Sequence, residues 1–191
     1  MRASVNYIPP EQFTDLIGAI PTLGIRKWKN ADVVMLFKIC YWCGLRINEA
    51  LRLQVSDFDI DMRRVYLGVT KTKKGDKATI PEAFVPELRA WLLTRENELF
   101  RGMNYAIVYN WLIRLGKRLD IKALTTTQKV TGEKTKTHIF RKSVGKDMVY
   151  GTRDGKRQPL NVVQKKLRHT TLDMTTRYLQ VEDEDVASAG W

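Results

Sequence analysis

Two arginines stand in sequence contexts that suit the binding of a phosphate group. Arg46 lies in CGLRINEAL, directly after a strongly apolar run, and Arg141 lies in THIFRKS. Because a planar guanidinium carries paired donors and keeps its charge at any working pH, it can bind two oxygens of one phosphate. Phosphoryl transfer depends largely on positioning and on stabilising the negative charge that gathers on those oxygens. The two arginines are therefore candidates for stabilising such a transition state.

Both histidines of the chain lie near residues that fit the same chemistry. His138 precedes Arg141 by three residues, a spacing that brings two side chains together on one face of a helix. His169 precedes Tyr178 by nine residues, in KLRHTTLDMTTRYLQV. A tyrosine hydroxyl, with a pKa of about 10, needs nearby cations and a proton acceptor to act as a nucleophile. Taken alone, H-x-x-R is more often a solvated helix edge and a tyrosine more often a half-buried aromatic, so spacing leaves both readings open.

Apolar residues recur at helical spacing along most of the chain and predict a series of helices. The predicted helix starts lie at or near Pro10, Asn30, Pro86, Asn104 and Pro159. The helix capped by Asn30 should run to about Cys43, and the one at Pro86 should carry residues up to Leu99. Further helices are expected over residues 45–54 and 137–150, and a last short helix should hold Tyr178.

Three short β-branched stretches interrupt this helical pattern. VSDFDI, RVYLGVT and DKATIP are separated by the turn-like DMR and KKG, which predicts a small antiparallel sheet. Residues 125–136 are rich in Thr and Lys without periodicity, and we expect a mobile loop there. The fold class predicted from these patterns is mainly α with a small three-stranded antiparallel sheet.

Charge and cysteine usage narrow the range of functions. The 191 residues include 33 Lys and Arg against 21 Asp and Glu, giving a net charge of +12, which favours a polyanionic partner such as nucleic acid. Cys40 and Cys43 form a C-x-x-C inside an apolar run without a second ligand pair, so we interpret them as core thiols rather than a metal site. The sequence shows neither a signal peptide nor a membrane-length apolar run, and a cytoplasmic protein with no membrane partner is expected.

The order of these motifs resembles that of the tyrosine recombinase family, which includes the phage-type integrases. GLRINEALRL follows the family's first arginine box, with Glu49 as its supporting acid. HIFRKS stands where the family has H-x-L-R-H, and LRHTTLDMTTRY stands where it has L-G-H-x-x-x-x-T-x-x-Y. The resemblance covers roughly residues 7 to 180. It departs at Lys142, where the family mostly has histidine, and at Arg168, where it mostly has glycine.

The resemblance implies a site-specific recombinase, or integrase, that cleaves and rejoins strands of double-stranded DNA. Tyr178 would attack the scissile phosphate and leave a 3′-phosphotyrosyl bond. Arg46 and Arg141 would clamp that phosphate, and His138 and His169 would hydrogen-bond it, with His138 the better candidate for taking the tyrosine proton. The resemblance implies no metal and no cofactor.

The family's general acid is a lysine in the turn of the β-hairpin, which protonates the departing 5′ oxygen. Counting back from Ile80 and Pro81 favours Lys73, although KTKKGDK offers other lysines within the same turn. The remaining candidates for contact with the DNA backbone are Lys71, Lys74, Lys77, Lys142 and Arg168.

The resemblance also implies a domain organisation and an assembly. Residues 1–191 would form the catalytic domain, the family's N-terminal DNA-clamping domain would be absent from this chain, and subunits would associate as a tetramer on DNA. Two alternatives stay open at this point. A type IB topoisomerase shares the chemistry but works as a monomer without exchanging strands between partners, and a catalytically silent DNA-binding module would account for the basic charge alone.

Overall fold

A computed structural model describes residues 7–68, 75–125 and 138–179, with the backbone alone for Arg177 and Tyr178. Most of the described residues are helical. The helices are α1 (Pro10–Gly18), α2 (Asn30–Cys43), α3 (Ile47–Ala50), α4 (Val85–Leu92), α5 (Tyr105–Arg118), α6 (Lys122–Thr125), α7 (Ile139–Tyr150), α8 (Leu160–Leu167) and α9 (Leu172–Leu179). Short 3₁₀ turns cover Ile20–Leu23, Val55–Asp57 and Glu82–Phe84.

The sheet has the three antiparallel strands that the sequence predicts. Its strands β1 (Phe58–Asp59), β2 (Arg64–Leu67) and β3 (Asp76–Thr79) lie in the order β1-β2-β3. Val65 pairs with Phe58 on one side and with Ala78 on the other. Val65 and Ala78 are buried while Tyr66 is 44% exposed, so one face of the sheet packs on the core. The predicted fold class is confirmed, whereas residues 69–74 of the hairpin, with Lys71, Lys73 and Lys74, lie outside the described residues.

Helix α2 is central because its side chains are apolar nearly all round. Eight of its fourteen residues are buried, and a helix of that kind must bury most of its surface in the core. The ring of Tyr41 stacks on Phe13 of α1 with centroids 3.8 Å apart, and Phe140 of α7 lies edge-on to Phe13 at 5.8 Å. Cys40 and Cys43 are buried and unbridged, which confirms them as core thiols. Gly44 then ends the helix in the left-handed conformation, at φ 71°.

Several helix boundaries differ from those predicted from the sequence. Asn30 is the first residue of α2 rather than its cap, because Lys29 already holds the extended capping conformation. Helix α4 ends at Leu92, so Leu99 is buried beyond it, in a segment that folds back after the helix. The helix expected over residues 45–54 is the single turn α3, and the residues after it enter turns and β1. These boundaries depend on where the chain turns to pack, which local periodicity does not record.

Other boundary signals are confirmed. The Oδ1 atom of Asn104 accepts a hydrogen bond from the backbone N–H of Ile107 at 3.0 Å and so caps α5. Pro10 begins α1, and Pro159 directly precedes α8. Tyr178 lies in α9 as expected. In the parts of the chain that the structure describes, we find no helix with the length and apolar character needed to cross a membrane.

Gly145 in α7 lets helices α8 and α9 pack closely against α7. A Cβ atom at Gly145 would lie 2.7 Å from Leu179 Cδ2 and 3.0 Å from Leu167 Cδ1, distances that no side chain could occupy without displacing its neighbours. Leu167 and Leu179 are both buried there, together with Val163. The helix that carries Tyr178 is thereby packed against the helix that carries Arg141.

Candidate active site

Arg46 and Glu49 form a local pair at the start of α3. Arg46 is the N-cap of this helix, and its backbone N–H donates to Glu49 Oε2 at 2.8 Å. Its Nη1 atom donates to Glu49 Oε1, also at 2.8 Å. A carboxylate at the third helical position that receives the N-cap N–H is one half of a capping box. The pair therefore fixes both the helix start and the guanidinium, which remains 45% exposed.

Arg141 is buried in the same region. It lies in the first turn of α7 with only 1% of its surface exposed, and its Nη1 atom donates to the main-chain oxygen of Gly44 at 3.1 Å. A buried guanidinium is stable only where hydrogen bonds and opposite charges replace its hydration. The contact ties α7 to the turn that immediately precedes Arg46.

His169 follows α8 and is held by contacts on two sides. Its Nδ1 atom lies 3.1 Å from Oγ1 of Thr175, a fully buried residue of α9, and its main-chain oxygen accepts from Gln164 Nε2 at 3.1 Å. Burial, together with the charges of the three arginines at positions 141, 46 and 168, lowers the pKa of His169 to about 4. The imidazole is therefore neutral at pH 7, with one donor and one acceptor nitrogen.

Arg168 enters the site from the end of α8. Its Nη2 atom lies 2.6 Å from Glu49 Oε2, and its Nε atom lies 2.9 Å from Asp76 Oδ2 in β3. Only 7% of the side chain is exposed. The sequence placed Arg168 among the candidates for DNA contact, whereas the structure places its guanidinium against two carboxylates.

Glu49 is the shared partner of these cations. Burial by itself would raise the pKa of its carboxyl, but the charge of Arg168, the hydrogen bonds from Arg46 and the charge of Arg141 outweigh that effect and lower the pKa. The carboxylate therefore stays ionised and draws the arginines together. Glu49 was predicted as a supporting acid from the resemblance, and its contact with Arg168 was not.

His138 lies at the N-cap of α7, not inside the helix. The predicted helix was to begin near Thr137, but it begins at Ile139, and the His138 carbonyl accepts the N–H of Lys142 at 2.9 Å. The backbone of His138 therefore opens the turn that carries Arg141. Of the predicted DNA-contact lysines, Lys142 is only 9% exposed inside α7, and Lys77 is exposed on β3. Lys71, Lys73 and Lys74 are not among the described residues.

Tyr178 is brought to this region by the backbone of α9. Thr175, which contacts His169, and Leu179, which packs on Gly145, are both buried and lie on either side of Tyr178 in the sequence. Tyr178 therefore lies between two anchored residues of α9, three positions after Thr175. Asp76 was missed by sequence reasoning because no local spacing links it to the arginines, whereas Thr175 lies three residues before Tyr178, as in the T-x-x-Y of the family motif, and was not singled out.

These features define a helical domain with a basic site of two arginines and a histidine, closed by a C-terminal helix with a tyrosine. The chain matches the model of the phage integrase family over residues 6–185 and belongs to that family. A tyrosine recombinase of Thermosipho africanus (strain TCF52B) is 24% identical over 190 residues, covering 96% of this chain and 60% of the relative. Tyrosine recombinase XerH of Helicobacter pylori is 29% identical over 199 residues, covering 96% of this chain and 51% of the relative. The chain thus spans between half and two thirds of the length of these relatives.

Solved structures show the same fold. XerH recombinase in a post-cleavage complex with palindromic difH substrate has a TM-score of 0.66 at 22% identity, covering 96% of this chain and 52% of that one. The catalytic domain of bacteriophage HP1 integrase has a TM-score of 0.61 at 20% identity, covering 98% of this chain and 96% of that domain. The fold of this chain is therefore that of a tyrosine recombinase catalytic domain, as the resemblance implied.

Proposed function

We propose that this chain is the catalytic domain of a site-specific recombinase that cleaves and rejoins double-stranded DNA through a 3′-phosphotyrosyl intermediate. The observation that carries the proposal is the meeting of Arg46, Arg141 and His169, from three distant segments, in one electrostatic site. The two arginines both act on the pKa of His169, and α9, which bears Tyr178, is joined to His169 through Thr175. Membership of the phage integrase family supports the same chemistry.

The proposed reaction is a transesterification. The Oη atom of Tyr178 attacks phosphorus, a bond from phosphorus to Oη forms, and the bond from phosphorus to the 5′ oxygen breaks. His138 takes the tyrosine proton, and Lys73 gives a proton to the departing 5′ oxygen. Attack by a 5′ hydroxyl on the phosphotyrosine reverses these steps and rejoins a strand, so the reaction consumes no high-energy cofactor.

The arginines supply the charge that this transition state needs. Arg46 is partly exposed and tethered by Glu49, and Arg141 is buried and tethered by Gly44. Preorganised cations of this kind stabilise the negative non-bridging oxygens without having to reorganise during the reaction. A neutral His169 adds a hydrogen bond to the phosphate rather than a further positive charge.

The direct test is trapping on a nicked suicide substrate, which loses a short 5′ fragment on cleavage and so cannot be rejoined. The unaltered chain should give a covalent protein–DNA band that survives denaturation. Tyr178→Phe should abolish the band while DNA binding persists. Tyr66→Phe removes a hydroxyl from an exposed tyrosine of β2 and serves as the matched control, which should leave the band intact. A band with the Tyr178→Phe variant would refute the assignment, and no band from the unaltered chain would favour a silent DNA-binding module.

We also propose that recombination requires association of several subunits on DNA, as a tetramer holding two duplexes. The residues of the proposed chemistry lie between Arg46 and Tyr178, so this chain should cleave DNA by itself. It should recombine two sites poorly, because the resemblance assigns the clamping of DNA to a domain outside residues 1–191. Mass in solution with and without DNA, measured beside a two-site recombination assay, tests both parts. Relaxation of supercoiled DNA by a species that stays monomeric would instead favour the type IB topoisomerase alternative.

A further inference from the structure

Arg168 holds a backbone conformation that favours glycine and is strained for most other residues. It ends α8 in the left-handed region, at φ 52° and ψ 43°. In this region the Cβ atom of an L-residue crowds the backbone, so a bulky side chain there introduces strain. Strain of this kind persists where the surrounding contacts over-determine the conformation. The contacts of the Arg168 side chain hold this conformation in place.

The guanidinium of Arg168 joins three segments that are remote in sequence. It leaves the end of α8, reaches Glu49 Oε2 in α3 at 2.6 Å and reaches Asp76 Oδ2 in β3 at 2.9 Å. Because only 7% of the Arg168 side chain and 19% of the Glu49 side chain are exposed, this ion pair is screened less than a pair on an open surface, whereas Asp76 is 37% exposed. A single ammonium group could not span both carboxylates with the same geometry.

The contact with Glu49 bears directly on Arg46. Glu49 Oε2 receives both the Arg46 backbone N–H, at 2.8 Å, and Arg168 Nη2. The other carboxylate oxygen, Oε1, receives Arg46 Nη1 at 2.8 Å. The two oxygens belong to one rigid carboxylate. By holding Oε2, Arg168 therefore also fixes the position of Oε1, which orients the Arg46 guanidinium.

We propose that Arg168 is a positioning residue that orients Arg46 for phosphate binding by fixing the Glu49 carboxylate, and that Asp76 holds Arg168 in place. The inference rests on the proposed function, in which Arg46 binds the scissile phosphate. Arg168 acts through Glu49 in this scheme and is not itself a catalytic residue. The contact also couples the edge of the sheet at β3 to the arginine site.

The electrostatics of Glu49 are consistent with this role. Burial opposes ionisation of the carboxyl, and the charge of Arg168 is the largest single effect that lowers its pKa, followed by the two hydrogen bonds from Arg46 and the charge of Arg141. Burial, the neighbouring Cys43 and the charge of Glu49 together raise the pKa of the Cys40 thiol. Without Arg168, the pKa values of Glu49 and of the neighbouring His169 should both rise, so the acidic limb of the cleavage rate should move to higher pH. A change that only altered packing would not move that limb.

The experiment compares single-turnover adduct formation by the full chain on two nicked DNAs, one with an ordinary scissile phosphodiester and one with a neutral methylphosphonate. Arg168→Gly removes the side chain and relieves the backbone strain, and it should slow cleavage of the phosphodiester by about 10-fold or more, the scale found on losing a residue that orients a metal ligand. Because the methylphosphonate presents one charge fewer, it depends less on Arg46, and its cleavage should slow much less. Arg168→Lys and Asp76→Asn should give intermediate losses with the same substrate dependence.

Glu82→Gln is the matched control, because it removes the exposed Arg63–Glu82 ion pair beyond the other end of the β2–β3 ladder. It should leave both rates unchanged. An equal loss on both substrates, or an Arg168→Gly variant with the unaltered rate and pH profile, would overturn the inference. If Arg168→Gly does not fold, Arg168→Lys and Asp76→Asn test the inference through the ratio of their cleavage rates on the phosphodiester and the methylphosphonate. Absence of any adduct from the unaltered chain would be a failure of the proposed function itself, and is distinguishable because both substrates then remain uncut.

Discussion

Arg141 Nη1 donates to the main-chain oxygen of Gly44 at 3.1 Å, although 97 residues separate the two in the sequence. Gly44 is the left-handed residue that ends α2, and Arg46 follows it by two positions. The two arginines of the site are therefore positioned by a single turn. A shift of α7 would move Arg141 directly. It would also move Arg46, because the Gly44 carbonyl that Arg141 binds lies two residues before it.

Arg141→Lys should slow cleavage by about 100-fold or more, because an ammonium group lacks the fork that binds the Gly44 carbonyl and a phosphate together. The measurement is the single-turnover rate of adduct formation at saturating DNA. Arg52→Lys, at an exposed position just after α3, is the control and should leave the rate unchanged. A lysine variant at Arg141 with the full rate would show that the bidentate geometry is dispensable.

Lys73→Ala should slow cleavage of ordinary DNA by about 100-fold or more, the usual scale for removing a general acid. A substrate with a bridging sulfur at the 5′ position needs no proton on the leaving group and should be cut at nearly the unaltered rate. Lys71→Ala and Lys74→Ala are the comparison variants. If one of these variants, rather than Lys73→Ala, cuts ordinary DNA slowly and the 5′-sulfur substrate at nearly the unaltered rate, that lysine is the general acid.

DNA affinity should fall steeply with salt, since each phosphate contact adds about 0.9 to the magnitude of the slope of log K against log salt. Lys77→Ala should reduce the magnitude of this slope by about 1, the value of one phosphate contact, because Lys77 is exposed on β3. Lys117→Ala, at an exposed position in α5, is the charge-matched control. Equilibrium titrations at several salt concentrations give the slopes, and a flat response would contradict the DNA-binding proposal.

His169 should make folding stability depend on pH. Its pKa of about 4 in the folded chain lies below the ordinary value of 6.5, so the unfolded chain binds more protons between these two values. The stability from keeping His169 neutral is fully present above pH 6.5 and is lost as pH falls towards 4. His169→Gln should remove this part of the pH dependence in urea unfolding experiments.

The chain has only two histidines, so NMR of a His138→Gln variant isolates the ring signals of His169. They should titrate near pH 4 in the free protein. A bound phosphodiester should raise that pKa, because a nearby negative charge favours the imidazolium. A His169 signal that titrates near pH 6.5 without DNA would contradict the electrostatic description of the site.

Asp147→Ala should destabilise the fold by about 3 kcal/mol, within the usual range for removing one member of a buried ion pair. Asp147 is 2% exposed and accepts from Tyr41 Oη at 2.8 Å, Thr152 Oγ1 at 2.6 Å and Arg153 Nη2 at 2.8 Å. The free energy of unfolding in urea measures the loss, with an alanine at exposed Glu96 as control. A change below about 1 kcal/mol, the usual size for a surface substitution, would show that the network is dispensable.

Much of the fold is determined by local signals in the sequence. Asn104 caps α5 because its short side chain can reach the N–H of Ile107, and the β-branched stretches form the sheet because their alternating side chains fit a half-buried surface. The family and the fold followed from the order and spacing of the arginine, histidine and tyrosine motifs, and both are confirmed. The roles assigned to the individual site residues remain predictions that the experiments above address.

Only the tertiary structure decided how the charged groups pair. Arg168 was grouped with residues that contact DNA, because sequence records its charge but not the direction of its side chain. From the end of α8 that side chain reaches Glu49, which is 119 residues away in sequence, and Asp76. His138 likewise lies at the cap of α7 rather than inside the helix, because α7 begins at Ile139. Helix periodicity depends on residues that are close in sequence and can be recognised there. These charged contacts form only when burial of apolar faces brings distant segments together.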